Sequence, residues 1–322
     1  MTDTTFRHGI SVLIPVYNYD CTLYVRGLVA QLEALMAEEA DRGMGYEVLL
    51  LDDASTDTET LHANRALNRL PHTQYIEATT NRGRALGLNL LLDRAQYQYV
   101  LVTDADAAIV SPHFLSTYWD HRTEAPVLVG GLTSAIPELA GHELRYRYEK
   151  HAEEERRRRF AHTRRVDADA VYHHFSTFNL WMDRRVTASY RFDERCEEYG
   201  YEDALFGLTL RERGVPARYI DNPLAHLGID SNRSFLEKTE ASLRTLSRLT
   251  GLMQASAGTS RLWQRLCGVG MGSLVAVLFN RVKPLMQRQL YGRKPSLIVF
   301  QLYKLGYYAA LMKAKRQGSN QK

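Results

Sequence analysis

The chain has 322 residues, 45% of them apolar and 24% charged, with a formal net charge of +4. That is the composition of a folded globular protein, not of a disordered or collagen-like chain, and at roughly 150 residues per domain it allows about two domains. Its cysteines, Cys21, Cys196 and Cys267, stand far apart with no CxxC pair, which argues against a disulfide scaffold or a zinc finger and fits a reducing, cytoplasmic compartment. The opening MTDTTFRHG has no apolar run of the kind a signal peptide carries,.

Ile10–Val16 (ISVLIPV) reads as a buried strand that stops at a polar Tyr17-Asn18 turn,. Leu23–Glu39 has helical apolar spacing, and Gly43 and Gly45 end it,. Glu47–Leu51 is a second strand that runs into Asp52-Asp53-Ala54-Ser55-Thr56-Asp57, and a helix is expected over Thr58–Leu70. Gln74–Glu77 is a third strand, Asn81–Arg94 a helix, and Tyr99–Thr103 a fourth strand that ends on Asp104-Ala105-Asp106. This alternation predicts an α/β fold with a mostly parallel sheet covered on both faces.

Tyr17-Asn18, Asp52-Asp53 and Asp104–Asp106 each follow the C-terminal end of an expected strand, the edge at which ligands bind in open α/β sheets. No GxGxxG follows a strand and no GxxxxGK[ST] occurs, which argues against a dinucleotide-dependent dehydrogenase and a P-loop NTPase. Over Leu144–Arg165, Glu153-Glu154-Glu155 stand four residues before arginines. The spacing predicts a solvated helix, with a flap over a charged acceptor as the other reading.

The order ISVLIPVYN, EVLLLDDASTD, NRGRALGLN, YVLVTDADAAI and FDERCEEYGYEDALFGLTLRERG resembles the family 2 glycosyltransferases of the GT-A fold, over about residues 9–230. The resemblance implies a nucleotide-sugar donor. It implies that Asp104 and Asp106 form a DxD motif, with Ala105 between them against the donor, and hold Mg2+ or Mn2+ across its phosphates; hard oxygen ligands suit such a cation. It also implies that Asp53, with Asp52 beside it, meets the nucleobase, and that Pro15, Tyr17, Asn18, Asn81, Gly83 and Arg84 line the nucleotide. Asp57 is expected to cap a helix.

Glu202-Asp203 opens an expected helix that ends near Arg213-Gly214, where the helix dipole favours an ionised carboxylate. The family motif implies that Asp203 deprotonates the acceptor hydroxyl, that Glu202 orients the acceptor, and that transfer proceeds with inversion. His226 has two readings, completion of the metal shell or a packed loop histidine. Phe175–Met182 reads as strand-like, with Asn179 near the sugar and acceptor, a binding role considered for His174, and Trp181 in the core. Asp193-Glu194 matches a family turn.

Past Gly228 the resemblance fades, giving a catalytic domain over 1–230 and a helical region over 231–322. Charge divides the same way: no Asp or Glu follows Glu240, and residues 241–322 hold 14 Lys and Arg, whereas 1–240 hold 27 basic and 37 acidic residues. Cations alternating with apolar runs favour an anionic lipid surface over nucleic acid, so no nucleic-acid partner is expected. Asn232–Thr250 is expected to be helical and Gly251–Ser260 a linker or turn. Cys267–Phe279 and Leu297–Met312 are apolar but shorter than the roughly 20 residues a spanning helix needs. They read as interfacial helices, or as helices packed within the chain or in a homo-oligomer. The sequence thus predicts a metal-dependent inverting glycosyltransferase on the cytoplasmic membrane face, acting from a UDP-sugar on a lipid-linked or cell-surface glycan acceptor. A catalytically silent binding subunit of the same fold is the alternative.

Overall fold

Ile10, Val12, Leu13, Ile14 and Val16 are each at most 1% exposed, so both faces of their strand are covered. A short β-branched run with no polar alternation is what a central parallel strand requires. The computed structural model describes residues 6–134, 137–161, 168–173, 175–196, 200–249 and 251–319. Its strands are β1 (Arg7–Val16), β2 (Gly45–Asp52), β3 (Thr73–Glu77), β4 (Tyr97–Thr103), β5 (Ala107–Ile109), β6 (Val127–Val129), β7 (Leu132–Thr133), β8 (Asn179–Asp183), β9 (Ala217–Tyr219) and β10 (Leu224–His226).

The chain divides into two units. The first comprises Met1–Ile136, Arg156–Glu194 and Glu202–Gly228, and carries a seven-stranded sheet in the order β3-β2-β1-β4-β8-β6-β9. Strands β3, β2, β1 and β4 are parallel, whereas β8 runs antiparallel to both β4 and β6. The helices Thr22–Glu38 and Arg84–Arg94 bury Leu28, Leu32, Leu88 and Leu91 completely or nearly so. Trp181 on β8 stacks on Tyr99 and Tyr118, with ring centroids 5.3 Å away in each case. A smaller sheet, β5-β10-β7, is antiparallel between β5 and β10 and parallel between β10 and β7.

The second unit takes Pro137–Glu155 and Arg195–Tyr201 as well as Ile229–Lys322, so the helical region is not a simple C-terminal appendage starting at 231. Its apolar cluster joins Leu144, Phe235, Leu236, Phe279, Leu290, Phe300 and Tyr303. Asn232 anchors it: its Oδ1 accepts from Leu144 N at 2.7 Å, and its Nδ2 donates to Glu143 at 2.8 Å.

Three expectations change. The helix expected from Asn81 begins at Arg84, because Asp53 holds the preceding backbone N–H groups. The strand expected over Phe175–Met182 shortens to Asn179–Asp183. The expected linker Gly251–Ser260 contains the helix Leu252–Ser256 and the start of Gly258–Gly268. Among the described residues no single helix is long and apolar enough to cross a membrane; Gly258–Gly268 and Gly272–Leu290 pass that test only together, across a bend of 119°. The charged helix spans Glu143–Ala161, and the rest of its expected range, 162–165, lies outside the described residues, as does His174.

Candidate active site

Parallel pairing sets the loops after β1, β2 and β4 along one sheet edge: Val16 is in register with Asp52, and Leu13 with Val102. Pro15 is the penultimate residue of β1, and Tyr17 follows the strand 52% exposed. Asn18 ties the first loop to the second. Its backbone N donates to Ser55 Oγ at 2.7 Å, and its Oδ1 accepts from Thr56 N at 2.7 Å and Asp57 N at 3.0 Å. Asn18 and Ala54 both take positive φ, 48° and 62°, a conformation that stores strain in a non-glycine residue such as Ala54. Asp57 caps the helix Thr58–Arg65, accepting from Glu59 N and Thr60 N.

The two adjacent aspartates have different roles. Asp52 is 1% exposed and accepts from Tyr75 Oη at 2.5 Å and Ser55 N at 2.7 Å. It props the loop from beneath. Asp53 reaches the third segment, accepting from Arg82 N at 2.8 Å and Gly83 N at 2.9 Å, while Asn81 Nδ2 donates to the Asp53 carbonyl at 3.0 Å. Gly83, at φ 82°, supplies the left-handed turn that opens the helix carrying Arg84,.

Arg84 joins the two acidic motifs. Its Nη2 pairs with Asp104 and donates to Thr177 Oγ1 at 2.8 Å, and its Nε lies 3.6 Å from Glu202 Oε1. Thr177, fully buried, donates from its N and Oγ1 to Asp203 at 3.0 and 2.6 Å, and Ser176 Oγ lies 3.5 Å from the same carboxylate. A carboxylate can accept about four hydrogen bonds, so Asp203 is oriented with acceptor capacity to spare, and it is half-buried, not sealed. Glu202, expected to orient an acceptor, is 6% exposed, and its Oε2 has no hydrogen-bond partner among the described residues. Burial, then the charge of Asp203, pushes its carboxyl up to about 7. Burial also raises the Asp104 carboxyl, helped by Asp106 and Asp203 and opposed by Arg84.

The smaller sheet delivers His226. Its register sets His226 opposite Ala107, and Leu227 N donates to the Asp106 carbonyl at 2.8 Å. His226 Nε2 therefore lies 3.0 Å from Asp106 Oδ2. Burial pushes the Asp106 carboxyl up, but the hydrogen bond and charge of His226, with Arg84, outweigh it and hold it below the usual range. Ala105 is buried between the two aspartates.

Among the described residues no group of three or more His, Cys, Asp or Glu side chains is assembled to hold a metal ion: Asp106 and His226 adjoin, while Asp104 is engaged by Arg84. The donor chemistry, two carboxylates and an imidazole, suits Mg2+ or Mn2+. Gly228 leaves space there, since a Cβ on it would lie 2.1 Å from Asp106 Oδ2.

Asn179 is spent inside the protein. Its Nδ2 donates to the carbonyls of Gly131 and Asn222 at 3.0 and 2.8 Å, and its Oδ1 accepts from Tyr118 Oη at 2.7 Å. It lines a cavity of about 60 Å3 together with Gly131, Leu132, Arg156, Ser176 and Phe178, among others. Ser176, Thr177 and Gly228 are the site residues that sequence reasoning passed over. The one available signal was the Ser-Thr pair two residues ahead of Asn179.

A sheet with a parallel core and acidic loops at one edge is the architecture of the GT-A transferases. Residues 11–190 match the family described as Glycosyl transferase family 2; this is more than half of the chain, which belongs to that family. The minor teichoic acid biosynthesis protein GgaB of Bacillus subtilis (strain 168) is 22% identical over 221 residues, 66% of this chain and 22% of its own length. An uncharacterized glycosyltransferase of Haemophilus influenzae is 29% identical over 102 residues, 32% of this chain and 38% of its own. The chain thus spans well under half the length of both curated relatives. A mannosyltransferase from Pyrobaculum calidifontis, solved in complex with GDP-Man and Mn2+, is similar in fold with a TM-score of 0.51 at 15% identity, over 96% of this chain and 87% of that one.

Proposed function

We propose that the chain transfers a glycosyl group from a nucleoside-diphosphate sugar, a UDP-sugar in the first instance, to a hydroxyl of a lipid-linked or cell-surface glycan, with inversion. The observation that carries this reading is the convergence on Arg84 of Asp104 and Glu202, residues 98 positions apart in the chain. Asp203 accepts the proton of the acceptor hydroxyl. The acceptor oxygen bonds to the anomeric carbon as the bond from that carbon to the diphosphate oxygen breaks, and the nucleoside diphosphate leaves.

Thr177 and Ser176 hold the Asp203 carboxylate in one orientation for that step. Arg84 supplies a fixed positive charge beside the phosphates, and Asp53, through Arg82 and Gly83, shapes the loop that receives the nucleoside. Mg2+ or Mn2+, held by Asp104, Asp106 and His226, would supply further positive charge to the diphosphate leaving group. The mannosyltransferase neighbour's GDP-Man and Mn2+ support the donor class and the metal, and the name of GgaB supports a cell-surface glycan acceptor. The basic, apolar C-terminal composition supports a site of action on the cytoplasmic membrane face,.

The test is Asp203→Asn. Transfer should fall by about three orders of magnitude or more while nucleotide affinity stays within about twofold. Retained turnover in that variant removes Asp203 as the base.

A further inference from the structure

The chain connecting Gly258–Gly268 to Gly272–Leu290, with the first turns of the second helix, holds apolar side chains in solvent. Val269 is 70% exposed, Met271 44%, Leu274 59% and Leu278 57%. Farther along, Leu285 is 68% exposed, and Arg281 and Arg288 are exposed as well. Positions 274, 278, 281, 285 and 288 recur at three- and four-residue spacing, so they form one stripe along the helix. The buried positions Ala276, Phe279 and Leu290 lie on the opposite side, where Phe279 and Leu290 join the core of the second unit. The packing requirement of this helix is therefore met without the leucine stripe.

Charge decides what covers the stripe. Among the described residues neither Arg281 nor Arg288 is paired with a carboxylate, and no acidic residue follows Glu240 anywhere in the sequence. A second copy packed stripe to stripe would bury these arginines with no acid on the face to neutralise them,. A nucleic acid would take the arginines and leave the leucines in water. An anionic headgroup layer over an acyl boundary satisfies both sets at once.

We propose that this stripe is a docking surface for an anionic lipid bilayer: Val269, Met271, Leu274, Leu278 and Leu285 enter the acyl boundary, and Arg281 and Arg288 meet lipid phosphates. The assignment concerns the second unit alone and does not depend on the donor or on the base. The test is sedimentation of the full chain with vesicles of phosphatidylglycerol and phosphatidylcholine, compared with vesicles of phosphatidylcholine alone.

The wild type should partition onto the anionic vesicles, less so as salt rises. The pair Leu274→Gln and Leu278→Gln, which leaves the charge unchanged, should weaken that partition about tenfold or more. The pair Arg281→Gln and Arg288→Gln should weaken it about tenfold on anionic vesicles while leaving any residual binding to phosphatidylcholine unchanged. Circular dichroism should show both variants folded, since all four positions are exposed. Absence of binding by the wild type overturns the proposal, and so does binding unaffected by the leucine substitutions. A concentration-dependent dimer that the leucine substitutions abolish would overturn it in favour of a second copy.

Discussion

Replacing Glu202 with Gln should make the protein more stable at alkaline pH than at acidic pH relative to the wild type. The carboxyl is 6% exposed, has one oxygen without a hydrogen-bond partner among the described residues, and is pushed by burial from 4.5 up to about 7. A carboxyl raised on folding leaves the folded chain holding more protons than the unfolded chain between those two values, so stability falls as pH rises through that window. Below about pH 4 the penalty is absent, and above about pH 7 it is fully present. Linkage between pH 5 and pH 8 gives a loss of about 2–3 kcal/mol from this one group. Gln keeps the shape and cannot ionise. Urea unfolding of both proteins at pH 5 and pH 8 should therefore give a stability difference that moves in favour of Glu202→Gln by about that amount. An equal difference at the two pH values would refute the reasoning, because Glu202 would then be ionised in the folded state at both.

Gly228→Ala should leave the fold intact and turn the Asp106 carboxylate away from His226, since the added Cβ would meet Oδ2 at 2.1 Å; calorimetry in Mn2+ should show nucleotide affinity reduced about tenfold or more, and unchanged affinity would contradict the assignment of Asp106. Trp181→Ala should cost about 3–5 kcal/mol in urea unfolding, because the indole is fully buried between two tyrosine rings while its Nε1 has no hydrogen-bond partner among the described residues to lose; a cost under about 1 kcal/mol would show that the aromatic stack does not hold β8 in place.

The strands of the first unit were legible because their burial is two-sided: β1 and β2 read as continuous apolar runs that end where the polar loops begin. Asp57 was legible as a cap because its hydrogen bonds are local, to Glu59 and Thr60. What escaped was set by contacts distant in sequence. The helix start moved from Asn81 to Arg84 because Asp53, some 30 residues earlier, takes the N–H groups of Arg82 and Gly83. Thr177 is unremarkable as a letter, and its hold on Asp203 exists only once β8 and the helix Glu202–Glu212 are assembled. Asn179 looked like a ligand-facing amide, yet its partners are the carbonyls of Gly131 and Asn222 and the hydroxyl of Tyr118, which the pairing of β8 with β6 brings near. Small polar residues over 251–260 suggested a linker, and helix packing in the second unit overrode that local preference,.

Calorimetric titration of the protein with UDP, GDP and their sugar conjugates, first with Mn2+ and then with EDTA, tests the central claim most directly. One nucleotide class should bind in the presence of Mn2+, and chelation should weaken that binding about tenfold or more. A folded protein that binds none of them would contradict the account, and binding indifferent to chelation would remove the metal from it.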